Sequence, residues 1–234
     1  MTVDRRLAPH AHHLRIQRTA RYYTVGGLDA GETPGPRTVW FVLHGYGQLA
    51  SQFVRYFATL DDGKSVIVAP EALNRFYLVS PESGPARERP VGATWMTRED
   101  RDCEITDYVE YLDALRDQVA GSDAGISVRI LGFSQGCATA TRWVTNGRVS
   151  ASGLVLWGGL MPPETDMTRA AEALRGVRIT FVLGSRDHYV NEEMLAAEHA
   201  RLDAAGIAHD TIRFDGGHAI KRTALEELVA RLGV

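Results

Sequence analysis

Gly132-Phe133-Ser134-Gln135-Gly136 follows directly on an apolar run, Ile126-Ser127-Val128-Arg129-Ile130-Leu131, and leads into a helix-forming stretch beginning at Cys137-Ala138. A serine with glycines two before and two after it, at the junction of a strand and a helix, demands a sharp turn. The glycines let backbone segments approach closely, and the serine hydroxyl is carried above the end of a sheet with a helix N-terminus beneath it. The pentapeptide alone recurs by chance in many chains. With both flanks of the right type it makes Ser134 a candidate nucleophile and asks for an α/β fold around it.

A serine nucleophile needs a base to take its proton and an acid to orient that base. After a strand–turn–helix serine both are expected downstream, acid first and histidine second. The apolar run Val177–Leu183 is followed by Gly184-Ser185-Arg186-Asp187-His188-Tyr189-Val190, and Thr211-Ile212-Arg213-Phe214-Asp215 runs into Gly216-Gly217-His218. Each candidate thus lies just past the end of a predicted strand, where open α/β sheets assemble their ligand sites. His188 abuts the candidate acid and His209 lies on the approach to a strand, so His218 is the candidate base. Asp187 is the candidate acid. Asp215 stays as the alternative, although it is close to His218 in sequence for reaching the far imidazole nitrogen, and its other role is to cap the turn into Gly216-Gly217.

Acyl transfer also needs donors aimed at the oxyanion that develops in the transition state, each worth about 3–4 kcal/mol. One is the backbone N–H of Gln135, at the start of the helix. The other is expected from the loop after the strand Thr38–Leu43, which reads His44-Gly45-Tyr46-Gly47-Gln48 and offers the Tyr46 N–H. His44 precedes the nucleophile and is expected to pin this loop by hydrogen bonds rather than to act in the chemistry.

Taken together, Leu43-His44-Gly45-Tyr46-Gly47, Gly132-Phe133-Ser134-Gln135-Gly136, Gly184-Ser185-Arg186-Asp187 and Gly217-His218 resemble the phospholipase/carboxylesterase family of α/β-hydrolases, which includes the acyl-protein thioesterases. The resemblance spans the chain from about Thr38 onward. It implies an α/β-hydrolase fold, a mostly parallel central sheet with helices on both faces and little or no lid domain. It also implies a serine esterase of carboxylic esters or thioesters, with Ser134, Asp187 and His218 as triad and Tyr46 and Gln135 as oxyanion hole. Better-known members carry a Gly-Leu-Gly-Asp turn and a second glycine after Ser-Gln-Gly, where this chain has Gly45-Tyr46-Gly47-Gln48 and Cys137. A small-molecule ester is the expected substrate. A peptidase, amidase or thioesterase on the same triad, or a ligand-binding protein without catalysis, are the alternatives, since a triad does not choose its leaving group.

The 234 residues suit one α/β-hydrolase domain, residues 1–234, able to bury roughly 70–75% of the unfolded surface. A net charge of −3 with mixed signs gives no basic field for nucleic acid. No apolar run approaches the ~20 residues of a membrane span, so no integral membrane association is expected. Met1–Arg6 lacks the apolar stretch of a secretory signal, and two cysteines, Cys103 and Cys137, suggest no disulfide framework, so a cytoplasmic location is expected. The mechanism needs no metal or organic cofactor, and His10, His12 and His13 are expected to be a solvated segment. A homodimer is left open.

Residues 14–25 are expected to form an N-terminal strand or hairpin, with further strands near 38–43, 65–69, 126–131, 151–157, 177–183 and 207–214. Between them, Glu104–Val119 carries Ile105, Tyr108, Val109, Leu112, Leu115 and Val119 at helical spacing. From Asn74 to Arg101 the rhythm fails in a Pro/Gly-punctuated loop containing Trp95 and Met96. Long loops in compact domains are often functional. Trp95 and Met96 are therefore the candidate substrate-binding residues, the alternative being that Trp95 plugs the loop onto the core.

Overall fold

The computed structural model describes residues 10–27, 38–121 and 125–232. In chain order its strands are β1 (Tyr22–Val25), β2 (Thr38–Leu43), β3 (Ser65–Pro70), β4 (Asn74–Tyr77), β5 (Val91–Thr94), β6 (Ser127–Phe133), β7 (Gly153–Trp157), β8 (Ile179–Gly184) and β9 (His209–Phe214). The helices are α1 (Ala50–Phe53), continued by a 3₁₀ segment Val54–Leu60, then α2 (Arg101–Ala120), α3 (Gln135–Asn146), α4 (Met167–Ala173), α5 (Glu192–Ala204) and α6 (Arg222–Leu232).

Seven strands form one sheet in the order β1-β3-β2-β6-β7-β8-β9. Only β1 runs antiparallel to its neighbour. Every residue of β3, β7 and β8 is buried. Such continuous burial is expected of parallel strands covered on both faces, and it explains why these segments read as unbroken apolar runs. Alternation then divides the side chains: Val39, Phe41 and Leu43 enter the core under α2 and α3, whereas Trp40 and Val42 pack on the other face with Phe53, Phe57, Leu225 and Leu228. The expected stripe of α2 supplies Tyr108, Val109, Leu112 and Leu115 to the first core. A buried carboxylate, Asp113, sits within that stripe, and it is satisfied by Trp143 Nε1 at 2.9 Å and by the Arg148 backbone N–H.

The strand order reverses at the β2–β6 pair, where Leu43 lies beside Gly132. Connections leaving these two strands diverge, which opens the crevice in which doubly wound sheets place ligands. Both the His44–Gln48 loop and the Ser134 turn emerge there.

Two expectations need correction. The N-terminal strand begins only at Tyr22. Residues 13–21 instead run as an arm whose side chains pair with the body: Arg15 with Glu110, Arg18 with the Leu73 carbonyl and Arg21 with buried Glu71. The segment 74–101 is likewise not irregular throughout, because β4 and β5 pair as an antiparallel two-stranded sheet. Their link contains two 3₁₀ turns, Pro81–Ser83 and Ala86–Glu88, so the pairing is not a short hairpin. Met1–Arg6, expected to carry no secretory signal, lies outside the described residues. Among those described, no helix is long and apolar enough to cross a membrane.

Candidate active site

The turn at Ser134 is built as the sequence demands. Ser134 has φ 54° and ψ −117°, one of two non-glycine residues with positive φ among those described. Such a backbone costs of order 1–3 kcal/mol and persists only where surrounding structure imposes it. The imposition is visible: Ser134 N donates to Trp157 O at 2.9 Å and its own carbonyl accepts from Cys137 N at 2.9 Å. Close packing requires both flanking glycines, since a Cβ on Gly132 would lie 2.3 Å from Gly136 O and one on Gly136 would lie 2.2 Å from Leu43 O. Cys137, beneath the turn, donates to Gly132 O at 3.1 Å, and full burial pushes its thiol far above the ordinary range, so it is not a rival nucleophile.

His218 and Asp187 meet beside this turn. Nδ1 of His218 lies 2.8 Å from Asp187 Oδ2, with the two side chains 18% and 1% exposed. The second carboxylate oxygen accepts from Tyr189 N at 2.8 Å, so both oxygens are engaged. Asp215 is turned away into solvent, where the hydrogen bond and charge of Arg186 hold its carboxyl below the usual range. The imidazole packs on Phe133 at 4.9 Å between centroids and is covered by Tyr189 at 4.5 Å. Gly158 completes the seat: with φ +64° it admits no side chain readily, and a Cβ would lie 2.9 Å from His218 Cε1. The Ser134 hydroxyl makes no hydrogen bond to a described residue, the imidazole included. Nucleophile–base bonds are commonly long until substrate is bound.

The His44–Gln48 loop lies against the serine, close enough that a Cβ on Gly45 would sit 3.2 Å from Ser134 Cβ. Of the N–H groups of Gly45–Gln48 three are already used: Gly45 N donates to Gln48 Oε1, Gly47 N to Ala93 O in β5 and Gln48 N to Gly45 O. The Tyr46 N–H has no acceptor among the described residues. The Gln135 N–H, first in α3, has no intrahelical partner either. These are the two amides expected to serve an oxyanion. His44 is fully buried, with Nδ1 2.8 Å from Gly45 O and Nε2 accepting from Ala72 N at 3.1 Å. These bonds fix one neutral tautomer, and burial lowers its pKa, so it holds the loop as a neutral imidazole.

Trp95 is too buried to line this site, and the contacts of Met96 are with Gln135 and Arg142. Trp95 is 1% exposed, donates from Nε1 to His44 O at 2.8 Å and stacks on His44 with centroids 5.2 Å apart. Met96 is half-buried, its carbonyl accepting from Gln135 Nε2 at 2.9 Å and its sulfur 3.4 Å from Arg142 Nη1. Both therefore serve as supports: the Gln135 side chain, which also takes Trp95 N at 3.1 Å, ties β5 to the start of α3. Trp95→Ala is expected to lower stability by about 3–5 kcal/mol, as for other buried large-to-small changes. Activity should fall alike across esters of all chain lengths. An unchanged urea midpoint with a chain-length-dependent loss would return Trp95 to the pocket. Sequence reasoning missed Tyr189 and Gly158, although a Gly-Gly pair directly after a buried strand is a signal of close approach. A polar cavity of about 370 Å³, lined by residues such as Arg101, Arg142 and Glu164, includes none of the site residues.

Comparison with solved structures supports the same architecture. Similar folds include esterase PE8 (TM-score 0.63, 19% identity, 92% of this chain and 99% of that one), Zea mays acyl-protein thioesterase 2 (0.66, 19%, 92% and 98%) and Arabidopsis thaliana SOBER1 (0.62, 20%, 84% and 97%). No curated protein matches the sequence. The family model described as serine hydrolase (FSH1) matches residues 39–226, a span that takes in the β2 loop, the serine turn, Asp187 and His218. The chain belongs to the FSH1 serine hydrolase family and carries the α/β-hydrolase fold.

Proposed function

We propose that this serine hydrolase cleaves carboxylic esters of small molecules through an acyl-enzyme on Ser134. The observation that carries the reading is the Asp187–His218 pair, its imidazole packed on Phe133, the residue that leads into the strained Ser134 turn. In this mechanism His218 Nε2 takes the Ser134 proton as Oγ attacks the ester carbonyl. Asp187 holds Nδ1–H and steadies the imidazolium, and the N–H groups of Tyr46 and Gln135 receive the oxyanion. His218 then protonates the departing alcohol, and water repeats the sequence on the acyl-enzyme. The esterase and thioesterase among the similar folds support acyl transfer without selecting between esters and thioesters.

Two exposed aromatic side chains adjoin this machinery, Tyr189, 70% exposed over His218, and Tyr46, 61% exposed against Phe76 at 5.1 Å. They are the proposed contacts for the apolar parts of the substrate, in the place first given to Trp95 and Met96. A panel of p-nitrophenyl esters of rising chain length, matched thioesters and anilides tests the reading. Turnover of esters with anilides inert is expected, whereas preferred cleavage of anilides would make the protein an amidase. Labelling of Ser134 by a fluorophosphonate without turnover of any acyl compound would overturn the proposed substrate class.

A further inference from the structure

The N-terminal arm brings a histidine to a cysteine and an aspartate that lie far from it in sequence. His13 Nε2 is 3.0 Å from both carboxylate oxygens of Asp100. Ligand atoms of His13, Asp100 and Cys103 all lie within 4.8 Å of one another. Independently of that contact, the arm is held by a two-pronged Arg15–Glu110 pair at 2.8 and 2.9 Å and by Arg21, whose partner Glu71 has a fully buried side chain. His13 is thus presented by a docked segment rather than by a free tail. Asp100, in a left-handed conformation at φ 49°, turns the chain into α2, and Cys103 follows in the first turn of that helix. The carboxylates of Asp102 and Asp107 also act electrostatically on Cys103, which adds negative potential to the cluster.

We propose that His13, Asp100 and Cys103 form a binding site for a borderline-soft divalent transition metal, zinc in the first place, that cross-links the arm to the start of α2. One imidazole nitrogen, one carboxylate oxygen and one thiolate sulfur make a mixed set that suits zinc or cobalt and is a poor match for calcium or magnesium, which take oxygen ligands. Bond lengths of about 2.0–2.3 Å place ligand atoms of a tetrahedral site roughly 3.3–3.8 Å apart. The 3.0 Å between His13 and Asp100 lies just below that range and all three ligand atoms lie within 4.8 Å of one another, so side-chain rotations suffice. Binding displaces the Cys103 proton to solvent and involves no redox change. The fourth position is left to water. Neither the triad nor the oxyanion loop contributes, so the site stands or falls apart from the hydrolase reading. Sequence spacing could not reveal it: 87 residues separate His13 from Asp100.

The test is cobalt(II) titration of the full-length, tag-free protein under a non-chelating reductant, followed by competition with zinc. One equivalent is expected to give a thiolate-to-cobalt charge-transfer band, removed by zinc, and to raise the thermal midpoint. Cys103→Ser should abolish the band. His13→Ala and Asp100→Asn should each weaken affinity by more than about 100-fold, the upper range for loss of a group that merely supports a ligand. Metal-free midpoints and ester hydrolysis of the three variants, compared with the parent, separate lost binding from misfolding. The double change His10→Ala, His12→Ala should leave the titration unaltered. Absence of the band at one equivalent, its survival in both His13→Ala and Asp100→Asn, or its loss in the His10/His12 variant would overturn the assignment.

Discussion

Replacing Ser134 with alanine is expected to lower kcat for ester hydrolysis by about a millionfold, the scale seen when a triad nucleophile is removed. The fold should survive, because the hydroxyl makes no hydrogen bond to a described residue and its loss leaves no buried group unpartnered. The strained backbone gives a second readout. Ser134→Gly should unfold at a higher midpoint than Ser134→Ala, because glycine adopts φ 54° without the Cβ penalty. Relief of about 1–3 kcal/mol of strain exceeds the roughly 0.5–1 kcal/mol of extra chain entropy that glycine loses on folding. A hydrolytic rate near that of the parent in Ser134→Ala would remove the serine from the mechanism. A less stable glycine variant would remove the claim that strain is stored at the turn.

Asp187→Asn should be nearly as damaging, with kcat reduced on the order of 10⁴-fold, as when the carboxylate of the best-studied serine triad becomes an amide. The physical cause is the tautomer: an asparagine amide in place of Oδ2 can donate to Nδ1, which leaves the proton on Nε2, where the base must be free. Asp215→Asn should change kcat little, since that carboxylate pairs with Arg186 and Ser185 rather than with the imidazole. If Asp215→Asn proves the more harmful of the two, the acid is misassigned.

The sheet was largely legible because its strands are buried on both faces, so β3, β7 and β8 announce themselves as apolar runs whatever their neighbours. Strand ends then placed Ser134, Asp187 and His218, which follow β6, β8 and β9 within a few residues. The Asp187–Asp215 ambiguity could not be closed from sequence. Both aspartates follow a strand, and the hydrogen bond goes to Asp187 through the adjacent β8 and β9, whose Gly184 and Phe214 are partners. The β4–β5 pair was hidden by its long link through Pro81, Pro85 and Pro90, which reads as punctuation rather than as a hairpin. Trp95 was ambiguous for a related reason: an aromatic residue in a loop looks like a pocket wall until its Nε1–H is seen on the His44 carbonyl. Likewise residues 14–25 read as a strand or hairpin, but Arg15, Arg18 and Arg21 tie the segment before Tyr22 to the body through ion pairs and a backbone carbonyl instead of a ladder.

The central claim is that Ser134 is a nucleophile activated by His218. Incubating the parent protein with a fluorophosphonate and measuring intact mass, then mapping the adduct by peptide sequencing, tests it directly. One adduct per chain on Ser134 is expected, with labelling at least 10³-fold slower in His218→Ala, since general base catalysis is worth about 10²–10⁴ and the activating partner is lost outright. An unlabelled parent protein, an adduct on another residue, or labelling that proceeds equally fast without His218 would contradict it.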